Sequence, residues 1–402
     1  MQLSRIIMDT PHDCESVEEI KEALQNNNPA LAIAKIQEYL DRQKNTALNI
    51  AITGESGSGK SAFVNVFRGI KNGDAGAAPT GCVETTSEPT PYPHPNYPNV
   101  TLWDLPGVGT TKFPADQYLK LVGFEKFDFF IIISDTRFRE NDVKLAREIQ
   151  EMKKKFYFVR SKIDDVLRAE KQSQREFNET ETKERIRDNC IQGLQEQGIQ
   201  SPQVFLVSSF ELHLHDFSLL TETLERELPE HKRNVLLFAM PNISQEIINK
   251  KKKAFQANIK YVASLSAAAA AVPVPGLSIA VDAALLIRVV KEYAVGFGLD
   301  IPSLENLAIN TGVLFTDLMA VITSPLATIE ITVERIFKVF SHCASSAALM
   351  AAEEGARFIP LIGIPAAMGL SFTTTYRMLN FILDKLADDA QKVFKKALNT
   401  TE

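Results

Sequence analysis

The sequence predicts an α/β fold with a mostly parallel sheet, joined to an all-α domain built from both ends of the chain. Three observations carry that prediction. Between residues 46 and 230, short apolar runs alternate with polar stretches at helical spacing, as parallel strands joined by helical crossovers require. A glycine-rich G-x-x-x-x-G-K-S segment stands where the first such run meets the next helix. Outside that region, residues 1–45 repeat apolar side chains at helical spacing, and 231–402 read helical, rich in Ala, Leu, Ile and Val with few strand signals.

Within 1–45, Val17–Leu24 and Ala30–Leu40 carry the helical pattern. A segment that short cannot enclose its own core. It is therefore expected to pack with 231–402 as one helical domain, leaving 46–230 as the other domain. Strands are expected at Leu48–Thr53, Val100–Trp103, Phe129–Ser134, Phe156–Arg160 and Val204–Val207, with helices at 140–155 and 175–197. A length of 402 residues suits two to three folding units, and 45% apolar with 23% charged residues excludes a disordered or fibrous chain. A net charge of −6 argues against a dedicated nucleic-acid binder, because such affinity comes mainly from neutralising phosphates. Cys14, Cys82, Cys190 and Cys343 have no paired spacing and read as free thiols of a reducing compartment. The start Met1-Gln2-Leu3-Ser4-Arg5 shows no apolar signal core, and Gln2 stands where myristoylation needs glycine. A cytoplasmic protein without signal peptide or myristoyl anchor is the expectation.

The segment Gly54-Glu55-Ser56-Gly57-Ser58-Gly59-Lys60-Ser61, followed by Ala62, is a phosphate loop in its required strand–helix context. Glycines let successive backbone N–H groups converge on phosphate oxygens, and the helix N-terminus adds positive potential. Lys60 is expected to bridge the β- and γ-phosphates, and the Ser61 hydroxyl to ligate Mg²⁺. Asp104-Leu-Pro-Gly107 ends the strand at 100–103. A carboxylate there can hold the Mg²⁺ shell while the Gly107 amide senses the γ-phosphate. Ser161-Lys162-Ile163-Asp164 ends the strand at 156–160. Asp164 can accept two hydrogen bonds from guanine, which adenine cannot supply, and the Lys162 stem can lie over the base. Ser208 and Ser209 follow the last strand and fit a backbone contact to guanine O6. Between phosphate loop and Asp104 lies Gly76–Thr86, a place for the threonine that meets Mg²⁺ and γ-phosphate only in the triphosphate state. Both Thr80 and Thr86 qualify, and Gly81 adjoins the first.

These elements together have a family look. The phosphate loop, Thr80-Gly-x-Val-Glu84-x-Thr86, Trp103–Thr111, Phe129–Phe138, Phe156–Arg160 and the exit Leu228–Arg233 resemble the immunity-related GTPases, the interferon-inducible p47 group of vertebrates. Lys60 matches the branch with lysine in the phosphate loop. The resemblance implies a Ras-like G domain between N- and C-terminal helices that form one helical domain. It implies a Mg²⁺-dependent GTPase, taking GTP to GDP and phosphate, that dimerises through its nucleotide face and is activated by that contact. It further implies peripheral action at intracellular membranes in cell-autonomous immunity, with related GTPases as further partners. Glu84 then acts near the γ-phosphate or across the dimer, beside Lys60 and Thr86 as catalytic candidates, while Arg137 and Arg139 lie near the partner's nucleotide. One departure matters: Val108 follows Gly107 where Ras-type enzymes place a water-orienting glutamine. It keeps a second reading alive, a nucleotide-gated membrane adaptor with negligible turnover.

Residues 261–281 and 358–376 carry no Asp, Glu, Lys or Arg. Pro273-Val-Pro-Gly276 interrupts the first, and Pro360, Gly363, Pro365 and Gly369 the second, leaving pieces shorter than the ~20 residues that span a bilayer. They read either as hairpins packed through small residues or as hairpins that open into a membrane. Lys250–Lys253 precedes the first and is either a solvated face or a contact for anionic head groups.

Overall fold

The structure, a computed structural model, describes residues 18–20, 22–23, 26, 28–81, 86–109, 118–135, 139–270, 277–327, 331–332, 334–336, 338 and 366–398. Its elements in chain order are α1 (Pro29–Asn45), β1 (Leu48–Thr53), α2 (Lys60–Phe67), β2 (Thr90–Pro93), β3 (Val100–Asp104), α3 (Tyr118–Val122), β4 (Phe129–Ser134), α4 (Glu140–Glu151), β5 (Lys155–Arg160) and α5 (Ile163–Ser173). There follow α6 (Glu179–Glu196), β6 (Val204–Leu206), α7 (Phe217–Glu227), α8 (Glu230–Ala239), α9 (Gln245–Ala270), α10 (Leu277–Gly296), α11 (Ile301–Thr311), α12 (Phe315–Ala320) and α13 (Ala366–Leu398).

The strands form one six-stranded sheet in the order β2-β3-β1-β4-β5-β6. All neighbours run parallel except β2, which pairs antiparallel with β3. Helices cover both faces, so the central strands are apolar throughout. The pleat sorts their side chains: Leu48, Ile50, Ile52, Phe129, Ile131 and Ile133 join the core with Phe63, Phe67 and Phe217. Ala51, Phe130 and Ile132 face the other core, with Leu145, Ile149, Leu167 and Leu194. All five expected strands are present. Strand β2 comes in addition, inside the proline-rich 89–98 stretch. Prolines cannot donate to a ladder, and at the sheet edge none is required of them.

The chain divides into two compact units, and the sheet unit runs from Thr46 to Ser244. It continues past the expected boundary at 230 because Val235, Leu236, Ala239 and Met240 of α8 and its end lie in the first sheet core. The other unit joins the described residues before Thr46 to those from Gln245 onward. There Tyr39 of α1 packs on Tyr261 of α9 at 4.4 Å between rings. Small residues bring α9 and α13 close: Ala263 and Ala267 meet Phe372, and the buried Ser266 and Thr375 hydroxyls bond at 3.0 Å. The lysine run is largely used inside this unit. Lys250 pairs with Glu246, Lys252 with Asp384, and the buried Lys251 donates to the Gly296 carbonyl that ends α10. Of the two uncharged stretches, 271–276 and 358–365 lie outside the described residues. No described helix is long and apolar enough to cross a membrane.

Candidate functional site

Parallel α/β sheets gather ligand-binding groups at the carboxyl ends of their strands, where strand order reverses. Here that place is the end of β1, between β3 and β4. Gly54 leaves β1 at φ +139°, and a Cβ on it would stand 2.1 Å from the Ile133 carbonyl oxygen, so only glycine lets the loop turn there. The loop delivers Lys60 and Ser61 as the first residues of α2. Lys60 is 7% exposed and donates to the Glu55 carbonyl at 2.8 Å and the Gly54 carbonyl at 3.3 Å. Its ammonium thus lies curled in the loop that a phosphate would fill.

Asp104 ends β3 and is fully buried. Its Oδ2 accepts hydrogen bonds from Ser61 Oγ at 2.6 Å and Thr86 Oγ1 at 3.0 Å. Its Oδ1 is buried with no hydrogen-bond partner. Burial pushes this carboxyl above the usual carboxylate range, partly offset by the Ser61 bond and by Lys60. A buried carboxylate oxygen without a donor needs an explanation, and a cation supplies one. Two hydroxyls and a carboxylate are the hard oxygen donors that Mg²⁺ prefers, so these residues fit that ion. Of the two threonine candidates, Thr86 touches Asp104, whereas Thr80 and Gly81 are exposed. Gly107 fits close under the phosphate loop: a Cβ there would stand 2.9 Å from the Ser56 nitrogen. Val108 is buried, and its amide donates to the Gly54 carbonyl at 3.2 Å.

The 161–164 segment lies against the same loop. Ser161 Oγ donates to the Ser58 carbonyl at 2.7 Å, and Lys162 Nζ to the Gly57 carbonyl at 2.8 Å. Lys162 adopts a left-handed φ of +54° that turns the chain into α5. Asp164 stands in the first turn of that helix, half-exposed and accepting no hydrogen bond from described residues. The Ile163 amide reaches the Val207 carbonyl at 3.4 Å, which sets Ser208 and Ser209 beside this segment. The buried Ser208 hydroxyl caps its own turn, accepting from the Phe210 and Glu211 amides.

Arg139 N-caps α4 and pairs with Glu55 of the phosphate loop, which also accepts from Asn141 Nδ2 at 2.9 Å. Glu84 and Arg137 lie outside the described residues. The sequence reading passed over Asp135, Asn141 and the buried Asp142. Asp142 accepts from Ser134 Oγ at 2.9 Å, and burial lifts its carboxyl to about 6. One signal was available for Asp135: it directly follows β4, at the strand end where such sites form.

The chain is similar to known proteins over nearly its whole length. The family profile of the interferon-inducible GTPases matches residues 13–397. Interferon-inducible GTPase 5 of Rattus norvegicus is 42% identical over 389 residues, covering 96% of this chain and 84% of the relative. The protein of the same name from Bos taurus is 42% identical, covering 96% and 83%. Interferon-gamma-inducible GTPase 10 of Mus musculus is 38% identical over 383 residues, covering 95% and 89%. Matched over nearly its whole length by the family profile and by relatives about 40% identical, the chain belongs to the interferon-inducible GTPase family.

Proposed function

We propose that this site binds GTP with Mg²⁺ and hydrolyses it to GDP and phosphate, and that self-association through the nucleotide face completes the reaction. The observation that carries the reading is Asp104, buried, with Oδ1 unpartnered and Oδ2 bonded to Ser61 and Thr86. Mg²⁺, when bound, neutralises charge on the β- and γ-phosphates; Asp104, Ser61 and one switch threonine would hold it. Thr86 is the better placed of the two threonines.

The remaining work falls to the chain itself. The loop amides and Lys60 bind the triphosphate, which requires Lys60 to leave the Gly54 and Glu55 carbonyls. Asp164 selects guanine through two accepted hydrogen bonds, the Lys162 stem covers the base, and the Ser208–Ser209 backbone meets O6. Catalysis is then positioning and charge neutralisation around an in-line water. Val108 brings only methyl groups to the place beside Gly107. A second copy therefore supplies what is missing, with Glu84, Arg137 and Arg139 at the contact. Arg139 must first leave Glu55 of its own chain. Peripheral action at intracellular membranes in cell-autonomous immunity, with related GTPases as partners, is the cellular setting that the family suggests.

The test is GTP turnover in Mg²⁺ and in EDTA, with ATP as control. Hydrolysis of GTP alone, abolished by chelation, supports the reading; equal use of ATP contradicts it. The buried Val108 favours one second reading, a GTP-gated membrane adaptor that binds tightly and turns over negligibly.

A further inference from the structure

Asp135 directly follows β4, at the strand ends that form the nucleotide site. Its Oδ2 accepts from Lys162 Nζ at 2.8 Å, and its Oδ1 lies 4.0 Å from a guanidinium nitrogen of Arg139. Lys162 reaches on to the Gly57 carbonyl, and Arg139 to Glu55. The chain Gly57–Lys162–Asp135–Arg139–Glu55 thus begins and ends in the phosphate loop. Its middle member is a carboxylate, 20% exposed in its side chain, between two cations.

A lysine stem has many rotamers, and holding one of them requires a fixed partner at its tip. The left-handed backbone at Lys162 aims the stem only at its root. The Gly57 carbonyl offers the ammonium one neutral acceptor. Asp135 adds a charged one, and charge-assisted bonds are the stronger kind. With both in place the ammonium is held across the phosphate loop before any base arrives.

We propose that Asp135 is a positioning residue for guanine-nucleotide recognition: its carboxylate fixes Lys162 against the phosphate loop, so that the lysine stem stands ready as one wall of the base pocket. The inference rests on the nucleotide reading above and adds to it the group that sets the wall. Base and ribose are common to GTP and GDP, so losing Asp135 weakens both alike and leaves their ratio unchanged. A defect at the γ-phosphate or the metal would move that ratio.

The experiment titrates fluorescent GTP and GDP analogues into the full chain in Mg²⁺, for wild type, Asp135→Ala, Asp135→Asn, Asp135→Glu, Lys162→Met and Asp135→Ala with Lys162→Met. Thermal melts verify that each is folded, and Asp135→Asn, of the same shape, serves where Asp135→Ala does not fold. The expected result is a rise of about three- to tenfold in Kd for both nucleotides in Asp135→Ala and Asp135→Asn. Asp135→Glu restores most of the affinity, and adding Asp135→Ala to Lys162→Met costs less than a further twofold. A wild type that binds, with Asp135→Ala within twofold of it, overturns the inference and leaves the nucleotide reading intact. Losses that multiply in the double variant do the same. A wild type that binds neither guanine nucleotide sinks the nucleotide reading itself, and this one with it.

Discussion

Asp104 gathers the Ser61 and Thr86 hydroxyls on one buried carboxylate whose other oxygen has no hydrogen-bond partner among the described residues. Asp104→Asn keeps the size but loses the charge that a cation needs. GTP affinity in Mg²⁺ should fall on the order of 10–100-fold, with little change in EDTA. Equal loss in both buffers would deny a cation at this carboxylate. Because burial raises the Asp104 pKa, the Mg²⁺-dependent part of binding should fade with falling pH sooner than an ordinary carboxylate would allow. Asp164→Asn replaces an acceptor by a donor. It should cost about 1.5–3 kcal/mol, roughly ten- to hundredfold in GTP affinity, and leave ATP binding unchanged; competition titrations of both nucleotides check this. Such residues were legible in the sequence because a glycine turn, a lysine and a strand-end acid have few other uses at that spacing. Asp135 and Asn141 were not, since acids and amides on loops are common and only the fold brings these two to the phosphate loop. The pairing of Thr86 with Asp104 was equally hidden, because two threonines shared one candidate loop.

At the scale of elements, apolar strand runs between polar helices were enough to place β1, β3, β4, β5 and β6. Strand β2 escaped because its prolines and partly exposed face look like loop. Helix α8 escaped as a member of the sheet unit because an amphipathic helix does not announce which core it covers. Similarly, the lysine run before the uncharged stretch gave no sign that Lys251 points inward. Burial lowers its ammonium to about 7. A lysine whose folded pKa lies below its unfolded value of 10.5 penalises folding fully below pH 7, and the penalty fades as pH rises from 7 towards 10.5. Lys251→Met should therefore raise stability most near pH 6, and its advantage should shrink by pH 10, where the lost bond to Gly296 counts instead. Denaturant melts of both proteins at those pH values measure it. An advantage independent of pH would mean that the ammonium is not held in a dry environment.

The whole molecule is two units, each with its own cores. A fragment of residues 46–244 should fold and bind GTP within a few-fold of the full chain. One ending at residue 230 should lose α8, open the core around Phe63 and Phe67, and aggregate. Circular dichroism and nucleotide titration distinguish the two, and a well-behaved 46–230 fragment would contradict the boundary at Ser244. The proposed self-association is tested at this scale too, since Val108 brings only methyl groups to the place beside Gly107. The most direct test is specific GTP hydrolysis in Mg²⁺ across a hundredfold range of protein concentration, with ATP as control. A rate per molecule that climbs with concentration for GTP alone is the predicted result. Tight GTP binding with turnover flat and close to zero would contradict it and leave a GTP-gated adaptor.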